Sequence, residues 1–191
     1  MNIDLKHFST SRPVRIVLTG FRATGKTSVG KVLASDIGYV FIDTDQELVN
    51  RMGCSIADYV GEHGWEAFRD LERSLLSELC FRTDLVIATG GGAITHGEQW
   101  RLLAKDSMVV WLKADARTIC ARMSVDVNTV GQRPSLTGAD ILEEVVTLLD
   151  QRNPLYRDGS HMALDTGEMT LEAIVDCIKE NWYLVTGLVT R

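Results

Sequence analysis

Residues 20–28 read GFRATGKTS, and Gly20, Gly25, Lys26 and Thr27 stand at the offsets of the phosphate-loop pattern G-x-x-x-x-G-K-[ST]. Glycines at those positions let backbone N–H groups curl around phosphate oxygens, a cradle running through Ala23, Thr24 and Gly25 to Ser28. A helix starting at Lys26 adds the positive end of its dipole. Lys26 then reaches the β- and γ-phosphates of a nucleotide, and the Thr27 hydroxyl ligates Mg²⁺. The bland alternative is a glycine-rich strand-to-helix turn with an exposed lysine. Residue frequencies make such a chance match about one in a hundred. Nucleotide binding is the expected function of this stretch.

Two carboxylates come next. The run YVFIDTD ends in Asp43 and Asp45, and alternation along an extended strand end would aim both the same way. Beside a phosphate loop, a carboxylate can hold a magnesium-bound water or accept the proton of an acceptor hydroxyl. Equally, Thr44 or Asp45 could simply cap the helix DQELVNRM, and alone the two readings weigh about the same. Further on, TGGGAIT strips the side chains from Gly90, Gly91 and Gly92, so that ligand and backbone can meet closely. Three glycines exceed the needs of a turn.

Arg69 in EAFRDLE, Arg133 in VGQRPSLTG and Arg152 in QRNPLYR offer planar guanidinium groups suited to carboxylate or phosphate. A helix arginine is more often a solvated residue or the partner of a nearby acid, and Glu66, Asp70 and Glu72 flank Arg69. Arg133 lies in a polar, aperiodic stretch, residues 124–138. Loops that long in a compact domain serve as functional lids or are disordered. A lid carrying an arginine suits phosphoryl transfer, which needs water excluded and charge on the moving group stabilised.

Alternating strands and helices must position these groups. Apolar runs at 14–18, 39–42, 85–88, 108–112 and 162–164 read as buried strands. Between them, residues 26–37 place Val29, Val32, Leu33 and Ile37 on one helical stripe, and Trp65, Phe68, Leu71, Leu75 and Leu79 form another. A third helix, 140–152, turns Ile141, Val145 and Leu148 inward and ends at Arg152; a last helix follows Thr170 as its N-cap. Crossover helices between five strands imply a parallel sheet covered on both faces, with ligands gathering at the C-terminal strand ends.

Several functions are excluded. A net charge of −6 argues against a nucleic-acid surface. No apolar stretch approaches a bilayer span, and the first residues carry charge without the apolar core of a secretory signal, so a cytoplasmic protein without membrane contact is expected. Cys54, Cys80, Cys120 and Cys177 are scattered and read as reduced core thiols; His7, His63, His96 and His161 are equally dispersed and receive no role. The guanine-reading N-K-x-D motif is missing. Asp58-Tyr59-Val60-Gly61 does spell D-x-x-G, but no apolar strand precedes it, and Ser55-x-x-Asp58 reads as a capping box. The GTPase reading falls away.

In order, G-x-x-x-x-G-K-T, F-x-D-x-D, F-R-x-x-E, G-G-G, R-P-x-L and R-x-P-L-Y resemble the shikimate kinases closely, from about residue 14 to 166. The resemblance implies an α/β P-loop NTPase fold like that of the nucleoside monophosphate kinases. That fold is a five-stranded parallel sheet flanked by helices, with a mobile lid. One domain would span residues 1–191, with its core at 14–182, a shikimate-binding helical segment at 45–80 and the lid at 124–138. The reaction would carry the γ-phosphoryl of ATP, the co-substrate, to the 3-hydroxyl of shikimate, with Mg²⁺ as cofactor and the enzyme a monomer. By the same likeness Asp45, Arg69, Gly91 and Arg152 hold shikimate, with Gly90 and Gly92 beside them. Lys26 and Arg133 neutralise the transferring phosphoryl, Arg122 in ICARM stacks on adenine, and Thr27 holds Mg²⁺ with Asp43 behind a water. Glu168 and Met169 depart from the basic residue often found near the adenine, so no base contact is assigned there. A kinase of another small acid such as gluconate, or a nucleotide-binding regulator without catalysis, are the alternatives.

Overall fold

The computed structural model describes residues 13–125 and 141–187. Five parallel strands, β1 (Arg15–Thr19), β2 (Val40–Asp43), β3 (Leu85–Ala88), β4 (Ser107–Lys113) and β5 (Met162–Asp165), form one sheet in the order β2-β3-β1-β4-β5. The expected strands lie within a residue or so of these bounds. β1 sits between β3 and β4, with Arg15 in register with Leu85 on one side and Ser107 on the other. The chain therefore places β2 and β3 on one side of β1 and then β4 and β5 on the other, and the loop after β1 opens at the switch point where such sheets bind ligands.

Alternation sends Val17, Ile87 and Val109 to one face, under α3 (Ile56–Leu79) and α4 (Gly97–Lys105). Ile16, Leu18, Val86, Met108 and Val110 go to the other, against α1 (Lys26–Ile37) and α7 (Leu171–Thr186). Thr170 caps α7 by accepting from the Ala173 N–H, as expected. Ser55 likewise caps α3, accepting from the Asp58 N–H at 3.0 Å.

Several expectations need correction. β2 is an edge strand, and Val40 on it is 57 % exposed and not buried. In α1 the buried positions Lys26, Val29, Gly30, Leu33 and Ala34 follow the helical period, and Val32 falls off that stripe into solvent. A left-handed Gly64 interrupts α3. In its second half the expected stripe holds, with Phe68, Leu75 and Leu79 buried and Trp65 and Leu71 half-buried against the core, and Glu72 and Leu76 are buried beside them. The helix α6 (Ile141–Asp158) leaves Ile141 exposed and does not end at Arg152; it continues through Pro154, held there by the fully buried Tyr156. Two short helices, α4 and α5 (Ala116–Val125), had no expectation, and α2 (Thr44–Met52) is capped by Asp43, not Thr44 or Asp45.

Arg15 is almost fully buried at the base of the sheet. It donates to Ser107 Oγ and to the carbonyl oxygens of Leu79, Cys80 and Arg82 at 2.6–3.0 Å, satisfying the C-terminal end of α3. Burial pulls its guanidinium pKa down, offset in part by nearby Cys80 and Asp106. Among the described residues no helix is long and apolar enough to cross a membrane.

Candidate active site

The phosphate loop leaves β1 at Gly20, whose φ of 137° few other residues adopt. A Cβ there would stand 2.1 Å from the Leu112 carbonyl oxygen, so only glycine lets the loop pass β4. Lys26 opens α1 and folds back over the loop, its ammonium donating to the carbonyls of Gly20 at 2.9 Å and Phe21 at 2.6 Å. The ammonium is thus held at the centre of the loop, where phosphates would sit.

Thr27 Oγ1 donates to Asp43 Oδ2 at 2.6 Å. The other carboxylate oxygen, Oδ1, accepts from the backbone N–H groups of Asp45 and Gln46 and caps α2. One carboxylate therefore caps α2, meets Thr27 and lines the cleft. Asp45 belongs to the first turn of α2, so its direction comes from the helix and not from strand alternation. A hydroxyl beside a carboxylate is the hard-oxygen donor set that suits Mg²⁺ sharing phosphate oxygens and water. Thr27, Asp43, Asp45 and Arg122 line one cleft of about 880 Å³ together with residues 22–29 and Thr166. Arg122 reaches it from α5, donating to Thr166 Oγ1 at 2.8 Å, to the Thr166 carbonyl at 2.6 Å and to the Ala23 carbonyl at 3.3 Å. Met169, to which no role was given, also lines this cleft.

The triple-glycine loop gathers the other residues expected at the site. Gly90 N–H donates to Thr44 Oγ1 at 2.8 Å. The Gly91 carbonyl accepts from Tyr156 OH at 2.5 Å and Arg152 Nη1 at 3.2 Å. Gly92 packs against Arg69, where a Cβ would come within 2.5 Å of Nη1. On Gly91 a Cβ would stand 3.4 Å from the Arg22 backbone nitrogen, so this loop abuts the phosphate loop. Arg69 pairs with Glu72 and lies over Trp65 at 5.4 Å; Arg152 lies over Phe21 at 5.9 Å. Hence Arg69 has the local acidic partner that helix spacing offers, and it also faces the glycine loop. Arg133 lies outside the described residues.

Supporting residues escaped the sequence reading. Glu72 is buried and meets His96 Nε2 at 3.1 Å, and Arg22 bridges to the buried Glu144 on α6 at 3.1 Å. Glu72 stood inside the F-R-x-x-E pattern and among the acids flanking Arg69, and neither signal showed its burial. Nothing in sequence joined it to His96.

Shikimate kinase is the family model that matches, over residues 22–182. A shikimate kinase of Nitratidesulfovibrio vulgaris is 38% identical over 168 residues, covering 88% of this chain and 95% of the relative. This chain belongs to the shikimate kinase family. A second shikimate kinase, from Oleidesulfovibrio alaskensis, is 40% identical over 79% of this chain and 87% of its own. The solved shikimate kinase of Acinetobacter baumannii, in complex with shikimate, superposes with a TM-score of 0.78 at 32% identity, covering 95% of this chain and 97% of that one. A gluconokinase from Sinorhizobium meliloti aligns at TM-score 0.55 and 21% identity, over 91% of this chain and 97% of its own, and shares the fold alone.

Proposed function

We propose that this shikimate kinase transfers the γ-phosphoryl of ATP to the 3-hydroxyl of shikimate, giving shikimate 3-phosphate and ADP, through the residues gathered around the cleft. The observation that carries this reading is the joining of two loops. Arg69 and Arg152 meet the triple-glycine loop, and that loop abuts the phosphate loop. Two guanidinium groups offer forked donors to the shikimate carboxylate. The net charge of −6 repels an anion at long range, so these local cations must supply the attraction.

Asp45 faces the same cleft from α2 and accepts from the acceptor hydroxyl. The transition state of phosphoryl transfer is loose, so orientation of that hydroxyl precedes loss of its proton. Lys26 spreads positive charge over the β/γ region as negative charge moves to the leaving oxygen. Arg133 is assigned the same task from the lid, on the sequence resemblance alone. Arg122 closes the adenine end of the cleft. Thr27 and Asp43 would hold Mg²⁺, whose chemistry is to bridge phosphate oxygens and neutralise them. Four scattered cysteines suit a reducing cytoplasm.

Release of ADP decides the matter, measured with shikimate, gluconate, AMP or no acceptor. Shikimate-dependent turnover far above the other three is the expected result. Turnover equal for all acceptors would overturn the proposal.

A further inference from the structure

We propose that His96 is a positioning residue for shikimate binding, acting through Glu72 on Arg69. This rests on the reading of Arg69 as a ligand of the acceptor carboxylate. His96 stands just past the triple-glycine loop, after the short helical turn Ala93–Thr95, and is 6% exposed. Its Nε2 lies 3.1 Å from Glu72 Oε2, the same oxygen that receives Arg69 Nη1. Glu72 is itself 4% exposed, so its carboxylate is held by protein groups more than by water.

A long arginine on a helix has many rotamers, and one i,i+3 partner fixes it weakly. Here the partner is braced from a second element. The segment that bears Gly92 against the guanidinium also bears His96 against the carboxylate, while Trp65 covers the guanidinium at 5.4 Å. Removing His96 leaves the buried Glu72 with one donor fewer and lets the Arg69–Glu72 pair rotate. The guanidinium would still be present and charged, but less often aimed at the acceptor. The loss should therefore fall on shikimate and spare the nucleotide.

Three variants separate this from a structural role. Asparagine places its amide near the Nδ1 position, too short to reach Glu72, whereas glutamine can bring an N–H to where Nε2 stands. His96→Asn and His96→Leu should raise the shikimate KM about tenfold, the scale of one hydrogen bond to a charged group, with ATP KM and kcat nearly unchanged. His96→Gln should restore most of the shikimate KM. In a Glu72→Gln background, His96→Asn should add nothing further.

Shikimate and ATP KM values rising together would overturn the inference, as would glutamine and asparagine variants that behave alike. Should the leucine variant fail to fold, the glutamine–asparagine comparison still decides. A parent enzyme without shikimate-dependent ADP release would sink the reading of function. An active parent whose shikimate KM is untouched by His96→Asn would sink only the role of His96.

Discussion

At the residue scale, the roles proposed for Lys26 and Asp45 divide between charge and orientation. Lys26→Ala should lower turnover at least about a hundredfold, because it removes the cation nearest the departing charge. It should also cost about 1–3 kcal/mol of stability, since the buried ammonium bonds the carbonyls of Gly20 and Phe21. Steady-state kinetics and thermal unfolding of one preparation measure both. The sequence pattern assigns this lysine to the phosphates; the folded loop gives it a structural share as well. Asp45→Asn keeps size and an acceptor oxygen but loses basicity. Turnover should fall at least about a hundredfold if the carboxylate takes the proton, and the acidic limb of the pH–rate profile should vanish. A variant that keeps its turnover and loses only shikimate affinity would reduce Asp45 to a binding residue.

At the scale of elements, the glycine loop and α5 are the parts to perturb. Gly92→Ala pushes a methyl group into Arg69 Nη1, the movable end of a flexible side chain. The shikimate KM should rise several-fold while the melting temperature stays near that of the parent. A large loss of stability with unchanged KM would mean that backbone, not arginine, yields. At the start of α5, the Thr118 backbone N–H and hydroxyl both donate to Asp115, and together they hold its carboxyl below the ordinary range. A depressed folded pKa means that this support is complete above the unfolded value, roughly pH 4, and is lost as pH falls through the folded one. The protection factors of α5 amides, exchange corrected for the intrinsic rate at each pH, should fall below about pH 4 as the helix that carries Arg122 loosens. Equal protection at pH 6 and pH 3 would contradict this. These two elements were unequally legible in the sequence. Three successive glycines announce a site by composition, and β1, β3 and α1 announce themselves by apolar period. α5 buries Ile119 almost alone, so it leaves too thin a stripe to find. The bracing of Arg69 by His96 joins residues from separate elements, and only the fold brings them together.

At the scale of the whole molecule, one buried cation ties the sheet to its largest helix. Arg15→Met keeps much of the apolar stem but strands the carbonyls of Leu79, Cys80 and Arg82 in a dry site. The cost should be roughly 3 kcal/mol or more, a drop of about 10 °C in melting temperature for a chain this size. Catalysis by the folded fraction should change little, since Arg15 lies at the opposite end of β1 from the phosphate loop. An unchanged melting temperature would show that water replaces the guanidinium at no cost. Sequence reading took the first strand as apolar and passed over its arginine, because a charged residue at a strand's start ordinarily faces solvent.

The same contact has a consequence for synthesis. Arg15 and its partner Ser107 are 92 residues apart, and β1, which Arg15 begins, needs both β3 and β4 as neighbours. A ribosome adding residues at about 5–20 per second takes roughly 5–20 seconds to deliver that second neighbour. Through that interval RIVLT lacks at least one of its two neighbouring strands, and the phosphate loop behind it has no Leu112 to lean on. ATP can lend no stability to so incomplete a chain. Protection in those seconds falls to whatever holds apolar strands apart in the cell.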